Sequence, residues 1–126
     1  MGHAMKRRMI TGAVLYAVAL AGDAQAQEKL QKLSGEQIRA KIAGMELTDE
    51  VHWRETYERG GTVTSNSMGR KRSGKWRVEK HQLCIEFEKD PAAKCYEVWM
   101  AGKNVELRHE GLMPLQGVLQ SPIGRK

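Results

Sequence analysis

The sequence predicts a mainly β (α+β) fold: an antiparallel meander of six to seven strands forming a small barrel or half-barrel, with one short N-terminal helix. Beyond residue 50, apolar and polar residues alternate with a period of two, as in strands with one buried face. Turn-forming residues separate these alternating segments at short intervals. The 126 residues make one domain at most, and a small barrel buries one sheet face within so short a chain.

A signal peptide is expected at residues 1–26. Lys6-Arg7-Arg8 forms its positive region, Met9–Ala21 its apolar region, and Ala24-Gln25-Ala26 its cleavage site. The apolar run would span roughly 20 Å as a helix, which is short of a ~30 Å bilayer core. We therefore expect a cleaved protein starting at Gln27, periplasmic or secreted in a Gram-negative bacterium, with no stable membrane insertion after cleavage.

Cleavage would lower the formal net charge from +6 to +4, because the leader holds three basic residues and Asp23. The remaining chain divides into a flexible N-terminus (27–33), a helix plus barrel-like domain (34–110), and an apolar tail or edge strand (111–126). A hydrophobic content of 40% excludes a disordered class, and the length excludes multi-domain enzymes and a full dinucleotide-binding fold. The mild basic charge alone does not argue for nucleic acid, and an exported protein seldom meets it, so we expect no nucleic-acid partner.

The helix is predicted over residues 35–43. Ser34 and Gln37 have the spacing of a capping box, in which each side chain bonds the other residue's backbone N–H. Ile38 and Ile42 then form one apolar stripe for the core. Gly44 is suited to end the helix.

Six strands are expected before the tail, at residues 51–57, 62–64, 75–80, 83–88, 95–100 and 104–108. Ser65–Ser73 is predicted to be a polar loop, and Asp90-Pro91 a break after the fourth strand. The tail contributes an edge strand near Gln116–Gln120, which would make seven. Alternatively, the tail is an exposed segment that docks on a partner.

Cys84 and Cys95 are the only cysteines, and an exported protein meets an oxidising compartment, so we expect a disulfide between them. Closing so short a loop would stabilise the fold by a little under ~3 kcal/mol. A redox pair lacks the C-x-x-C spacing, and a metal site lacks matching ligands.

Directly opposed cysteines would place Leu83 opposite Tyr96. The predicted turns add the pairs Trp76–Ile85, Val78–Leu83, Val98–Val105 and Tyr96–Leu107. All these residues then share one apolar face, and a one-residue slip would destroy that agreement.

A cluster of positive charges is the most conspicuous local feature. The candidate partner- or anion-binding residues are Arg70, Lys71, Arg72, Lys75, Arg77 and Trp99. The cations could attract lipid head groups, lipopolysaccharide or an acidic protein, or they could simply keep a hairpin tip solvated. Trp99 is expected on the outer sheet face, where it would contact a partner or pack on the disulfide or under the tail.

Catalytic motifs are missing from the sequence, which contains no G-x-S-x-G, H-E-x-x-H or P-loop. His52, His81 and His109 lie on three different segments without metal-ligand spacing. We therefore expect a protein that is not an enzyme and has no cofactor and no metal.

The motifs Leu33–Ile38, Gly74–Val78, Leu83-Cys84 and Cys95–Val98 resemble those of small secreted proteins of Gram-negative bacteria whose function is unknown. The resemblance implies a lipocalin-like small barrel with a disulfide. More distantly, the chain is similar to secreted barrel inhibitors of proteases and lysozyme, but their inhibitory segments have no match here. We therefore transfer no site residues.

We expect a non-enzymatic binding or accessory protein that contacts another protein through the outer sheet face, the basic residues or the tail. The alternatives are a small-ligand carrier and a secreted enzyme inhibitor. A carrier would need a cavity above ~300 Å³ inside the barrel. The predicted inward side chains leave little space for one.

Overall fold

The computed structural model describes residues 12–13 and 29–122. Apart from residues 12–13, the predicted signal peptide at 1–26 lies outside the described residues. Within the described part, no helix is both long enough and apolar enough to cross a membrane.

Nine antiparallel strands and one helix make up residues 29–122. In chain order they are β1 (Gln31–Lys32), α1 (Gly35–Ile42), β2 (Glu46–Thr48), β3 (Trp53–Tyr57), β4 (Thr62–Ser67), β5 (Arg70–Glu79), β6 (Gln82–Phe87), β7 (Asp90–Ala101), β8 (Asn104–Arg108) and β9 (Leu115–Gln120).

Strands β2 to β9 form a closed barrel. β9 pairs with β8 on one side and with β2 on the other, where Leu47 lies opposite Leu119. The tail therefore contains a strand, but this strand is internal and closes the sheet. The expected six to seven strands are too few, because β1 and β2 are too short to show an alternating pattern. β1 pairs with β7, so residues 31–32 have a place in the fold, in contrast to the flexible segment expected there.

The helix matches its prediction at the N-terminus. The Gln37 N–H donates to Ser34 Oγ at 3.3 Å, and the Ser34 N–H donates to Gln37 Oε1 at 2.9 Å, which is the capping box. Ile38 and Ile42 are fully buried in the barrel core. Gly44 follows with a φ of 78°, a left-handed conformation that favours glycine.

The disulfide between Cys84 and Cys95 is present, and the two residues lie directly opposite each other on β6 and β7. The predicted pairs Leu83–Tyr96, Trp76–Ile85 and Val78–Leu83 are confirmed. These strands therefore direct their apolar residues to the barrel interior.

The β7–β8 register differs from the prediction by two residues. Val98 pairs with Leu107, and Met100 with Val105, because β7 continues to Ala101 before a two-residue turn. A shift of two keeps every side chain on its predicted face, since the period of a strand is two. Val98, Val105 and Leu107 are accordingly buried.

Two predicted interruptions are instead parts of hairpins, of which the β4–β5 hairpin keeps one register and the β6–β7 hairpin shifts register between Ile85 and Phe87. Ser65–Ser73 is not a loop: its residues extend β4 and β5 around a two-residue turn at Met68 and Gly69, whose φ values of 52° and 79° suit a tight hairpin. Asp90-Pro91 does not separate strands, because β7 begins at Asp90. The polar composition of Ser65–Ser73 predicts a loop, and the proline at position 91 predicts a break, although both segments form strands.

The start of β3 also differs from the prediction. Val51 is 79% exposed and lies in the β2–β3 turn. Asp49 Oδ1 accepts the backbone N–H groups of Val51, His52 and Trp53 at 2.7–3.0 Å, and this side chain organises the turn. The strand therefore begins at Trp53.

Gly74 lies at a close approach between β5 and β6. A Cβ atom at this position would lie 2.2 Å from the carbonyl O of Glu86 and 2.8 Å from the Cα of Phe87. Since both neighbours are backbone atoms, neither can move aside cheaply. A glycine in a strand commonly marks such a close approach.

We predict that Gly74→Ala lowers the free energy of unfolding by about 1–3 kcal/mol, the usual range for overpacking. Chemical denaturation of the oxidised protein measures the change. Gly60→Ala is the matched control, because a Cβ at Gly60 meets nothing within 4 Å. Equal stability of the two variants would contradict the tight approach of β5 and β6.

Candidate functional site

The candidate binding site is the end of the β4–β5 hairpin, residues 67–73, which we term the basic tip. β5 pairs with β4 as far as Arg70, opposite Ser67, but its pairing with β6 begins only at Gly74, opposite Phe87. The Glu88 N–H still donates to the Ser73 carbonyl O, so residues 70–72 extend about 10 Å beyond the last bond on that side, at ~3.3 Å per residue.

The three cations of the basic tip lie on two faces of the hairpin. Even-numbered residues of β5 share the inward face with buried Trp76, so Arg70 and Arg72 lie on that side and Lys71 on the other. The Arg72 guanidinium carbon lies 4.0 Å from the centre of the Phe87 ring, in a cation–π contact. All three cations are exposed.

The remaining predicted cations lie elsewhere on β5. Lys75 and Arg77 point outward along the part of the strand that pairs with β6. Arg77 forms ion pairs with Glu79 (3.2 Å) and Glu86 (3.9 Å), which neutralise it. The structure therefore separates Arg77 from the basic tip.

An open groove of about 840 Å³ lies beside the basic tip. Its lining residues come from the tip and from the β6–β7 turn: Ser67, Met68, Arg70, Lys71, Arg72, Ser73, Phe87, Glu88 and Lys89. Four are cations and one is acidic. Within residues 29–122, none of these four cations forms a salt bridge. The groove is thus a surface of net positive charge, which Glu88 in its lining and Glu55 near Arg72 offset only in part.

Trp99 belongs to a different surface. It lies on the outer face between Lys32 of β1 and Glu106 of β8. Its indole N–H donates to Glu97 Oε1 at 3.1 Å, and the Arg108 guanidinium lies 4.0 Å from the centre of a ring of the indole. β1 and Arg108 cover the ring in part, in place of the expected disulfide or tail.

The carboxylates around Trp99 are held in their charged form. Hydrogen bonds from Lys32 and Trp99 lower the pKa of Glu97. Hydrogen bonds from Gln116 and Arg108 likewise lower the pKa of Glu106. These groups form a balanced polar network, in contrast to the basic tip.

Sequence reasoning missed Glu55. This residue lies on β3 between inward-facing Trp53 and Tyr57, so the alternation of the strand could have placed it on the inner face. The Tyr57 hydroxyl donates to Glu55 Oε1 at 2.9 Å. Burial raises the pKa of Glu55, although the Tyr57 hydrogen bond and the charge of Arg72 act in the opposite direction.

Glu55 borders a cavity of about 70 Å³ at the mouth of the barrel, together with Phe87, Tyr96 and Leu107. A water molecule occupies ~30 Å³ of liquid volume, so this space suits about two waters. It is far smaller than the ~300 Å³ of a typical ligand pocket. This cavity is therefore too small for the ligand of a carrier.

Glu79 lies beside the disulfide, with its Oε2 3.7 Å from Cys84 Sγ. These three side chains are close enough together to suggest a metal site. The two sulfur atoms are bonded to each other, however, and metal binding requires thiolates. The oxidised pair therefore acts as a covalent staple.

Comparison with protein-family models, with curated proteins and with solved structures found no match for this chain. The geometry alone establishes a small β-barrel with one disulfide-bonded cysteine pair. A disulfide is typical of an oxidising, extracellular compartment.

We predict that Glu55→Gln makes the protein more stable at neutral pH. The amide oxygen still accepts the Tyr57 hydrogen bond, and the charge that burial disfavours is gone. Because its pKa is raised, Glu55 binds its proton more tightly in the folded state. It therefore opposes folding increasingly as pH rises above its ordinary value of 4.5.

Thermal unfolding between pH 4 and pH 8 tests this sign. The stability gain of Glu55→Gln over the unsubstituted protein should be small at the acid end and larger at the neutral end. Glu88→Gln is the control, because this carboxylate is exposed in the β6–β7 turn. A gain that does not depend on pH would contradict the effect of burial on Glu55.

Proposed function

We propose that the protein is a non-enzymatic binding protein that contacts an acidic surface of another protein through its basic tip. The observation that supports this most strongly is the set of cations Arg70, Lys71, Arg72 and Lys89 around one groove, with no salt bridge to any of them in residues 29–122. An acidic partner would supply the charge that is missing there.

A protein fits this site better than a membrane does. The site is a groove between the tip and the β6–β7 turn, and Glu88 belongs to its lining. A flat membrane surface would contact only one face of the hairpin, whereas Lys71 and Arg72 lie on opposite faces.

The proposal includes a location. We infer that the mature chain starts at Gln27 and acts in the periplasm, or is secreted, in a Gram-negative bacterium. The disulfide supports an oxidising compartment, and the motif resemblance supports a small secreted family of this kind. An enzyme inhibitor would be one form of such a protein, with the projecting hairpin as its contact segment.

Binding to fluorescein-labelled poly-L-glutamate tests the proposal. We predict that replacing Arg70 and Lys71 by serine weakens binding about fivefold or more, since two charge contacts of roughly 0.5–1 kcal/mol each are lost. The matched control replaces Lys41 and Lys103 by serine. Both lysines are exposed on other parts of the molecule, so the two variants carry the same net charge.

Equal weakening in both variants would contradict the proposal, because net charge and not the basic tip would then determine binding. A second measurement uses vesicles of equal parts phosphatidylcholine and phosphatidylglycerol. Binding to these vesicles without binding to poly-L-glutamate would overturn the protein partner in favour of a membrane surface.

A further inference from the structure

The basic tip carries a free sheet edge as well as charge. β5 is longer than β6, which turns into β7 at Glu88 and Lys89. The Glu88 N–H donates to the Ser73 carbonyl O at 3.1 Å. Beyond this bond, β6 offers no partner to residues 70–72 within the described chain.

The direction of the backbone groups identifies which residue is free. Trp76 directs its N–H toward the β4 side of the strand, where it donates to the carbonyl O of Gly61, the residue before β4. Backbone groups alternate along a strand, so Arg72 and Arg70 also face β4. Ser73 faces β6, and so does Lys71. The Lys71 N–H and C=O therefore point into the groove.

We propose that this edge binds an extended acidic peptide segment by strand addition, with the Lys71 N–H and C=O as its central hydrogen-bonding pair. This inference rests on the proposed function, since it specifies how the acidic partner is held. A peptide strand added to an exposed sheet edge gains main-chain hydrogen bonds, and its side chains supply the specificity.

The charges around the edge determine what kind of strand fits. Side chains of an added strand would alternate between the face of Lys71 and the face of Arg70 and Arg72. Acidic residues would therefore meet a cation on either face, and opposite charges across strands are stabilising. Arg72 is already positioned by its contact with Phe87, which lines the same groove.

A second copy of this chain is a poorer occupant. Pairing two copies through this edge would place Arg70, Lys71 and Arg72 beside the same three cations. Like charges directly opposite each other destabilise a strand pair. The three cations on this exposed edge thus disfavour pairing with a second copy of the chain, whereas a negatively charged strand can still pair with it.

The test uses fluorescein-labelled Glu-Thr-Glu-Thr-Glu-Thr-Glu and two derivatives, one N-methylated at the threonines and one at the internal glutamates. Only one set of amides faces the protein in an added strand. We expect one methylated peptide to lose affinity at least about tenfold while the other keeps it within about twofold. Equal affinities, or equal losses, would overturn strand addition.

A pair of variants tests the same edge from the protein side. Lys71→Pro removes both the charge and the N–H that faces the groove, whereas Lys71→Ala removes the charge only. The N–H lost is not part of the ladder with β4, so a proline is compatible with this edge. We expect the proline variant to bind the unmethylated peptide several-fold more weakly than the alanine variant. Circular dichroism confirms that both variants are folded.

The outcomes separate the two proposals. If serine at Arg70 and Lys71 abolishes peptide binding while both methylated peptides bind equally, strand addition fails and the acidic partner stands. If the unmethylated peptide and poly-L-glutamate both fail to bind, both proposals fail. If only one of the two methylated peptides loses affinity, and Lys71→Pro binds more weakly than Lys71→Ala, both proposals are supported.

Discussion

Barrel closure by β9 is the constraint on which the rest of this structure depends. β9 lies between β8 and β2, so strands β2 to β9 pair in a complete circle. Closure removes the free edges that an open sheet of this size would have. It also directs one side chain in two to a confined interior, where Ile38 and Ile42 of the helix complete the core.

This closure explains why the proposed binding site lies on a projecting hairpin. Buried apolar side chains pack the barrel core, and the cavity beside Glu55 measures only about 70 Å³. Where β6 turns away from β5, however, the basic tip retains unpaired backbone groups. The basic tip therefore combines backbone groups that have no hydrogen-bond partner in the described chain with a net positive charge. The Trp99 surface differs, because its carboxylates and cations satisfy one another.

Sequence patterns predicted the pairing of β5, β6 and β7 well, but they missed the short strands β1 and β2 and the end of the β4–β5 hairpin. Alternation and the opposed cysteines fixed the inward faces of the central strands, even where the β7–β8 register was wrong by two residues. β2 has only three residues, and its pairing with β9 joins distant parts of the chain. Neither a strand of three residues nor a pairing between distant segments produces an alternating pattern in the sequence. The sequence predicts a loop at the polar tip, because apolar alternation ends where the hairpin leaves the core. Its cations were identified, but their separation into two faces required the strand assignment.

Amide hydrogen exchange, resolved residue by residue by NMR, tests the free edge most directly. In the free protein, the Lys71 amide should exchange rapidly while the Arg72 amide, which faces β4, is protected. An acidic peptide should then slow exchange at Lys71 and leave Arg72 unchanged. A Lys71 amide already protected in the free protein would show that this edge is occupied and would contradict the site.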